Sequence, residues 1–461
     1  MSDDPQRTKP SGRAVPSGRL TRLFGLGSLA TGIAGNMLAD GARHLAQGKR
    51  PRIADMLLTP ANAHRVADKL AHMRGAAMKV GQLLSMDAGD LLPPEIGAIL
   101  ARLRADATSM PMSQVVAMLN ANWGEGWRSQ FQQFSFTPVA AASIGQVHFG
   151  ILADGQRVAV KIQYPGVRES IDSDIDNVAT LIRLSGLIPK TVDFEPLLQQ
   201  AKAQLRDEAD YQHEAAALRR YRAFLADNPD YALPDVFDAL TTDCVLTMTR
   251  MDGTPVDSLT HAPQEERDRI ATLLIGLFFR EIFVFRFIQT DPNFANYRYD
   301  RTSGQLILLD FGAARAYSAE MTEHYRQLLQ AAIDNAAENI VQPAIALQYF
   351  DSNTAPHHRE AVIAMFMQVC EPLRTIGAYD FGTSDLAARL RNAGMALGME
   401  RDFWHTPPAE IVLLHRKIAG LYLIAARLRA RVDVRQLLDQ VERELAPSPK
   451  TCTQKSTITI M

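Results

Sequence analysis

Apolar and polar positions recur on two different periods along this chain. From Thr59 to Leu119, positions such as Val66, Leu70, Met73, Ala77 and Val80 roughly follow the i, i+3, i+4 spacing of amphipathic helix, interrupted at Pro93-Pro94. Near Phe136 the period shortens. Gln146–Leu152 and Arg157–Tyr164 are β-favouring runs joined by Ala153-Asp154-Gly155-Gln156, a hairpin signal because Asp-Gly tolerates positive φ. In the second run Val158, Val160 and Ile162 alternate with Ala159 and Lys161, so Lys161 faces away from the branched apolar side. A long helix is expected from Phe194 to about Ala226, and strands at Cys244–Met251 and Gln305–Leu309. Leu259–Phe287, Glu320–Leu347 and Ala409–Leu445 keep a helical period without β punctuation. The expected fold class is α+β: a helical extension, a small strand-rich lobe and a larger helical lobe.

Composition adds bounds. With 461 residues, 47% of them hydrophobic and 22% charged, the chain can bury a large core. A net charge of -2 creates no global field for nucleic acid, so phosphate binding has to come from a local site. Residues 1–52 hold nine Lys/Arg against three Asp/Glu, which suits an anionic membrane surface or a solvated basic tail. The apolar run Leu23–Ala39 is broken by Gly25, Gly27, Gly32, Gly35 and Asn36, and reads as an interfacial or packed helix rather than a span. The scattered cysteines Cys244, Cys370 and Cys452 suggest neither a zinc site nor a disulfide framework and fit a reducing compartment. The N-terminus lacks the pattern of a secretory signal.

Four elements stand in the order of a kinase catalytic core: a small-residue loop on a hairpin, a strand lysine, an Asp followed by Asn, and a strand ending in Asp-Phe-Gly. The loop is Ala140-Ala141-Ala142-Ser143-Ile144-Gly145, where Ala in place of Gly removes the freedom to take positive φ close to phosphate. Lys161 in Val158-Ala159-Val160-Lys161 matches the lysine that holds α- and β-phosphates. Its acidic partner is assigned to Glu214. On one continuous helix, Asp210 and Glu214 would share a face with Glu208 about 120° from Glu214. Asp291 and Asn296 in Thr290-Asp291-Pro292-Asn293-Phe294-Ala295-Asn296 have catalytic-loop spacing: the Asp orients or deprotonates an attacking hydroxyl and the Asn ligates a metal. Gln289-Thr290 stands where His-Arg is usual. Asp310-Phe311-Gly312 follows an apolar strand, and Asp310 offers oxygen to Mg²⁺. A second such tripeptide, Asp380-Phe381-Gly382, lacks an upstream Asp/Asn pair and reads as a turn.

Together these residues resemble the UbiB-like atypical kinases, especially the branch serving coenzyme Q biosynthesis. Lys79-Val80-Gly81-Gln82 matches that family's KxGQ motif, Glu208 and Asp210 its ExD motif, and the alanine-rich loop and Gln289-Thr290-Asp291-Pro292-Asn293 look like the same branch. The match covers about Leu20 to Val432. The resemblance implies an atypical protein-kinase-like two-lobe fold with the KxGQ helices packed over the cleft. Its divisions are 1–52, a basic segment; 53–135, the KxGQ extension; 136–251, the N-lobe; 252–446, the C-lobe; and 447–461, a polar tail.

It further implies that Lys79 and Gln82, with Glu208 and Asp210, are regulatory. Asp291, Lys161 and Glu214 are catalytic, Asn296 and Asp310 are metal ligands, and Ala140, Ala141, Ala142, Ser143 and Gly145 join Lys161 at the nucleotide. The implied ligands are ATP and Mg²⁺. The implied partners are ubiquinone-biosynthesis enzymes or lipid and quinone precursors, with peripheral membrane contact, no nucleic acid and, as an open option, a second copy of the chain. The implied location is cytoplasmic and peripheral on the inner membrane, or the matrix side in a mitochondrion. A nucleotide-binding scaffold without turnover and a protein kinase acting in trans stand as alternatives.

Overall fold

A computed structural model of the chain describes residues 110–142, 144–185, 195–398 and 407–445. They fall into two compact units, one of residues up to Pro255 together with Ala295–Ala314, the other of Val256–Phe294 with residues from Arg315 onward.

In the first unit, helix α1 (Met112–Trp123) precedes strands β1 (Phe131–Phe134), β2 (Ala140–Ala141), β3 (Gly145–Leu152) and β4 (Arg157–Gln163). Helices α2 (Val167–Ser185), α3 (Glu195–Glu208) and α4 (Tyr211–Phe224) follow, then β5 (Tyr231–Ala232) and β6 (Val245–Thr249). The main sheet runs β1-β3-β4-β6, antiparallel throughout, with β2 also on β3. The β3–β4 turn carries Gly155 at φ +89, a value that glycine takes without a steric penalty. Val158, Val160 and Ile162 on one face of β4 bury against Val115, Leu119 and Trp127, which leaves Lys161 on the opposite face. Sheet structure starts at Phe131, ahead of the expected Phe136, because Phe131 and Phe134 join the Trp123–Trp127 aromatic cluster.

The long helix expected over 194–226 is two helices. It breaks at Ala209-Asp210, where the Asp210 side chain accepts the His213 backbone N–H at 3.0 Å and caps α4. A short acidic side chain satisfies a helix's first orphan amides better than it continues a helix. The wheel that separated Glu208 from Glu214 therefore does not apply.

A second sheet in this unit orders Tyr231–Ala232, Gln305–Leu308, Tyr297–Asp300 and Thr254–Pro255. The Tyr297–Asp300/Gln305–Leu308 hairpin lies wholly inside Ala295–Ala314.

The second unit is mostly helical. Helix Gln264–Arg280 buries Ile270, Leu274 and Leu277, packing against Val434–Leu445 and Ala409–Leu428. The helical run expected to Phe287 changes to a π-helical turn over Glu281–Phe285, ending in left-handed Arg286 at φ 47. That turn leads directly into the short strand Phe287–Gln289. The expected helix through Leu445 is likewise interrupted, by strand Arg431–Val432 paired with Tyr379–Asp380. Among the described residues no helix is long and apolar enough to cross a membrane.

Candidate functional site

Register places Lys161 at the centre of the main sheet, opposite Val147 of β3 and Leu246 of β6. Helix α4 presents Glu214 to it. Lys161 Nζ donates to Glu214 Oε1 and Oε2, each at 2.9 Å, and to Asp310 Oδ2 at 3.0 Å. An ammonium has three N–H bonds, so all three are committed to carboxylate oxygens. The side chains differ in exposure: 10% for Lys161, 2% for Glu214 and 35% for Asp310.

Two carboxylates thus share one cation. Burial first, and then the Asp310 carboxylate, push Glu214 up to about 7 although Lys161 opposes them. Burial would lower Lys161, but Asp310 and Glu214 outweigh it and hold the ammonium well above the ordinary lysine range. The excess of negative charge and the oxygen donors suit a hard divalent cation.

Asp310 is anchored on both sides. The Gly312 N–H donates to its Oδ1 at 3.1 Å, and the Phe311 ring is buried 4.6 Å from the Tyr221 ring. Leu309 N–H donates to the Asn296 carbonyl at 3.1 Å, so the hairpin brings Asn296 and Asp310 to the same end. A Cβ on Gly312 would lie 3.6 Å from Glu214 Oε2 and 3.7 Å from Glu208 Cα, so both glutamates border that glycine. Among the described residues no group of three or more His, Cys, Asp or Glu converges as a metal cage. A divalent ion at Asp310 would complete its shell with the Asn296 amide, phosphate or water.

Ala140 and Ala141 pair with Val147 and Gln146, and Ala142 N–H donates to the Gly145 carbonyl at 2.8 Å. A Cβ on Gly145 would stand 2.3 Å from the Ile162 carbonyl oxygen, so glycine here permits close approach of β3 to β4. Ser143, Lys79 and Gln82 lie outside the described residues.

Asp291 belongs to the second unit. Its Oδ1 accepts from Arg416 Nη2 at 3.1 Å, and its backbone N–H donates to Gln289 Oε1 at 3.1 Å. Lys417 Nζ lies 3.4 Å from Glu281 Oε2 and 3.5 Å from Gln289 Oε1, while the Gln289 N–H donates to Glu281 Oε1 at 3.4 Å. Arg416 and Lys417 are both buried. Two cations from helix Ala409–Leu428 thus hold the segment where a protein kinase has His-Arg. The same helix offers Gly420, where a Cβ would come within 2.1 Å of Pro292 Cγ. These three residues escaped sequence reasoning. Their one legible signal was an Arg-Lys pair and a glycine inside the apolar stretch Ile411–Ile424.

The second Asp-Phe-Gly is a turn. Asp380 Oδ1 accepts the Gly382 and Thr383 N–H groups and its Oδ2 accepts from Arg431.

His415, next to Arg416, titrates to a separate end. Burial lowers it from 6.5 to about 4, with Tyr349 Oη 2.5 Å from its Nε2. The folded chain keeps it neutral while the unfolded chain protonates below 6.5. Its contribution is therefore present above 6.5 and lost as pH falls through 4. The loss reaches at most ~3 kcal/mol, since the ring keeps some solvent contact. Denaturant titrations between pH 6.5 and 4 should show that decline, flattened in His415→Gln; equal slopes in the two proteins would reject it.

Comparison with known proteins adds the following. The ABC1 atypical kinase-like domain matches residues 102–344. The mitochondrial atypical kinase COQ8 of Saccharomyces cerevisiae is 38% identical over 431 residues, 93% of this chain and 85% of the yeast protein. The mitochondrial atypical kinase COQ8B of Rattus norvegicus is 38% identical over 441 residues, 95% of this chain and 83% of the rat protein. Among solved structures, Rv3197 of Mycobacterium tuberculosis, determined in complex with erythromycin, is similar at a TM-score of 0.56 and 25% identity, covering 81% of this chain and 93% of that one.

Proposed function

The chain belongs to the ABC1 family of atypical kinases, and from that premise we propose that it binds Mg-ATP and supports ubiquinone biosynthesis as an ATPase or small-molecule kinase. The observation that carries the nucleotide reading is the three-way bond of Lys161 with Glu214 and Asp310. Its lysine, helix glutamate and Asp-Phe-Gly aspartate are the set a kinase uses on a polyphosphate.

Within this reading each residue has a task. Glu214, the least exposed partner, keeps Lys161 in place. Asp310, the more exposed partner, is the one able to give up its bond and free an N–H for phosphate. Asn296 and Asp310 would hold Mg²⁺, which when bound neutralises phosphate charge. Asp291, oriented by Arg416, positions or deprotonates the attacking hydroxyl or water. Ala140 to Gly145, with Ser143, cover the phosphates. Lys79, Gln82, Glu208 and Asp210 form the regulatory set.

The role in ubiquinone biosynthesis follows the COQ8 relatives. With them we assign peripheral contact with the inner membrane, on the matrix side in a mitochondrion, and coupling of turnover to lipid or quinone-pathway enzymes. Full-length protein mixed with anionic liposomes should release phosphate from ATP, and a deletion strain of its source should lose quinone and regain it with the wild-type chain but not with Lys161→Met. Restoration by both would remove ATP chemistry from the function.

A further inference from the structure

Tyr211 opens α4, one turn before Glu214, so the two side chains share a face and both meet Lys161. Its ring centroid is 5.2 Å from Lys161 Nζ. The carboxylates take the ammonium's three N–H bonds, and the ring covers a further side of it. At its far end the hydroxyl is the unexplained group. It is fully buried and has no hydrogen-bond partner among the described residues. It lies 3.0 Å from the position a Cβ on Gly145 would occupy, at the root of the Ala140–Gly145 loop.

A buried hydroxyl without a partner destabilises the chain that carries it, and phenylalanine would fill the same space without that cost. A tyrosine here therefore has a use in another state. Burial holds the phenol above its ordinary range and so keeps it protonated, a donor in search of an acceptor. The nearby carboxylates already accept from Lys161. On the loop side it faces Gly145, where β3 begins and the two-residue strand β2 pairs with it.

We propose that Tyr211 is a phosphate-binding residue: when a nucleotide seats beneath the Ala140–Gly145 loop, the Tyr211 hydroxyl donates a hydrogen bond to one of its phosphate oxygens. This rests on the nucleotide reading above and adds a donor to Lys161 from the opposite end of the same buried contact. It accounts for the orphaned hydroxyl, its protonated form and its place between the phosphate lysine and the loop root.

Calorimetric titration of the full chain with MgADP and with adenosine, on wild type and Tyr211→Phe, tests it. Loss of a hydrogen bond to a charged oxygen should weaken MgADP by ~10-fold. Adenosine affinity should be unchanged, and the ligand-free Tm of Tyr211→Phe should equal or exceed that of wild type. Equal MgADP affinity in the two proteins would overturn the proposal. So would a lower ligand-free Tm with MgADP and adenosine weakened alike, since that identifies a permanent structural partner. Failure of the wild type to bind MgADP would overturn the nucleotide reading itself, and the proposal with it.

Discussion

Asp310→Asn should reduce ATP hydrolysis by on the order of 10³-fold or more and, in the same protein, tighten binding of metal-free ADP. The first effect follows from removing the anionic oxygen that a divalent cation requires, where charge stabilisation dominates phosphoryl transfer. The second follows from the bond count at Lys161. All three of its N–H bonds are occupied, one of them by Asp310 Oδ2 at 3.0 Å. A phosphate reaching Lys161 without metal has to displace that aspartate and bear its repulsion. A neutral carboxamide competes more weakly and repels nothing. The Mg²⁺ dependence of ADP binding should accordingly shrink in the variant. Direct competition and diffuse repulsion are separable by salt. Exposed charge effects fade at high ionic strength, whereas a bond at 3.0 Å in a mostly buried cluster is screened much less. Calorimetry at low and high salt should therefore show the same variant-to-wild-type ratio. A ratio that collapses to one in high salt would assign the effect to bulk charge, and unchanged metal-free affinity at low salt would remove the exchange at Lys161 altogether.

Gly420→Ala should lower turnover by on the order of 10²-fold, although the added group is one methyl on a helix where alanine is the better helix former. Intrinsic propensity favours the substitution by ~1 kcal/mol. Packing opposes it, because the new Cβ would stand 2.1 Å and 2.5 Å from Pro292 Cγ and Cβ. The proline ring cannot turn aside as a flexible side chain does, so the Asp291-Pro292 segment has to shift. In the role proposed for Asp291, a displacement of about 1 Å costs roughly that factor in rate. The companion change Lys417→Met should show a related loss by another route. Removing this buried cation takes away the ammonium 3.4 Å from the buried Glu281 Oε2, with a stability loss of ~3 kcal/mol. Gly420→Ala separates position from stability: kcat should fall while the Tm falls by only a few degrees. Unaltered kcat would show that the Pro292 contact does not set the position of Asp291.

Why the sequence alone could not foresee this cradle is physical. Arg416 and Asp291 are separated by 125 residues, and no local rule relates a helix to a loop so distant. Periodicity marks Arg416 and Lys417 as polar interruptions of an apolar helix, which long side chains reaching solvent from a surface helix would equally explain. Only burial tells the two cases apart. The break at Ala209-Asp210 is a nearer miss. Aspartate followed by a favourable helical pattern is an N-cap signal, yet the flanking residues continue a helical period on both sides and conceal it.

What the residues determined unaided was local and periodic. The β3–β4 hairpin follows from Asp154-Gly155, the placement of Lys161 on the face opposite Val158, Val160 and Ile162 from their alternation, and the turn at Asp380 from an aspartate two positions before a glycine, whose side chain accepts the Gly382 and Thr383 N–H groups. Each depends on neighbours a few positions apart, where backbone geometry leaves little choice. The tertiary structure alone decided that Lys161, Glu214 and Asp310 meet, since 53 and 149 residues separate the lysine from its two partners. It also decided that two carboxylates share one ammonium, that the Tyr211 hydroxyl finds no acceptor among the described residues, and that Gly420 admits Pro292. Those outcomes depend on which surfaces exclude water from one another, and exclusion is a property of the packed chain rather than of any segment within it.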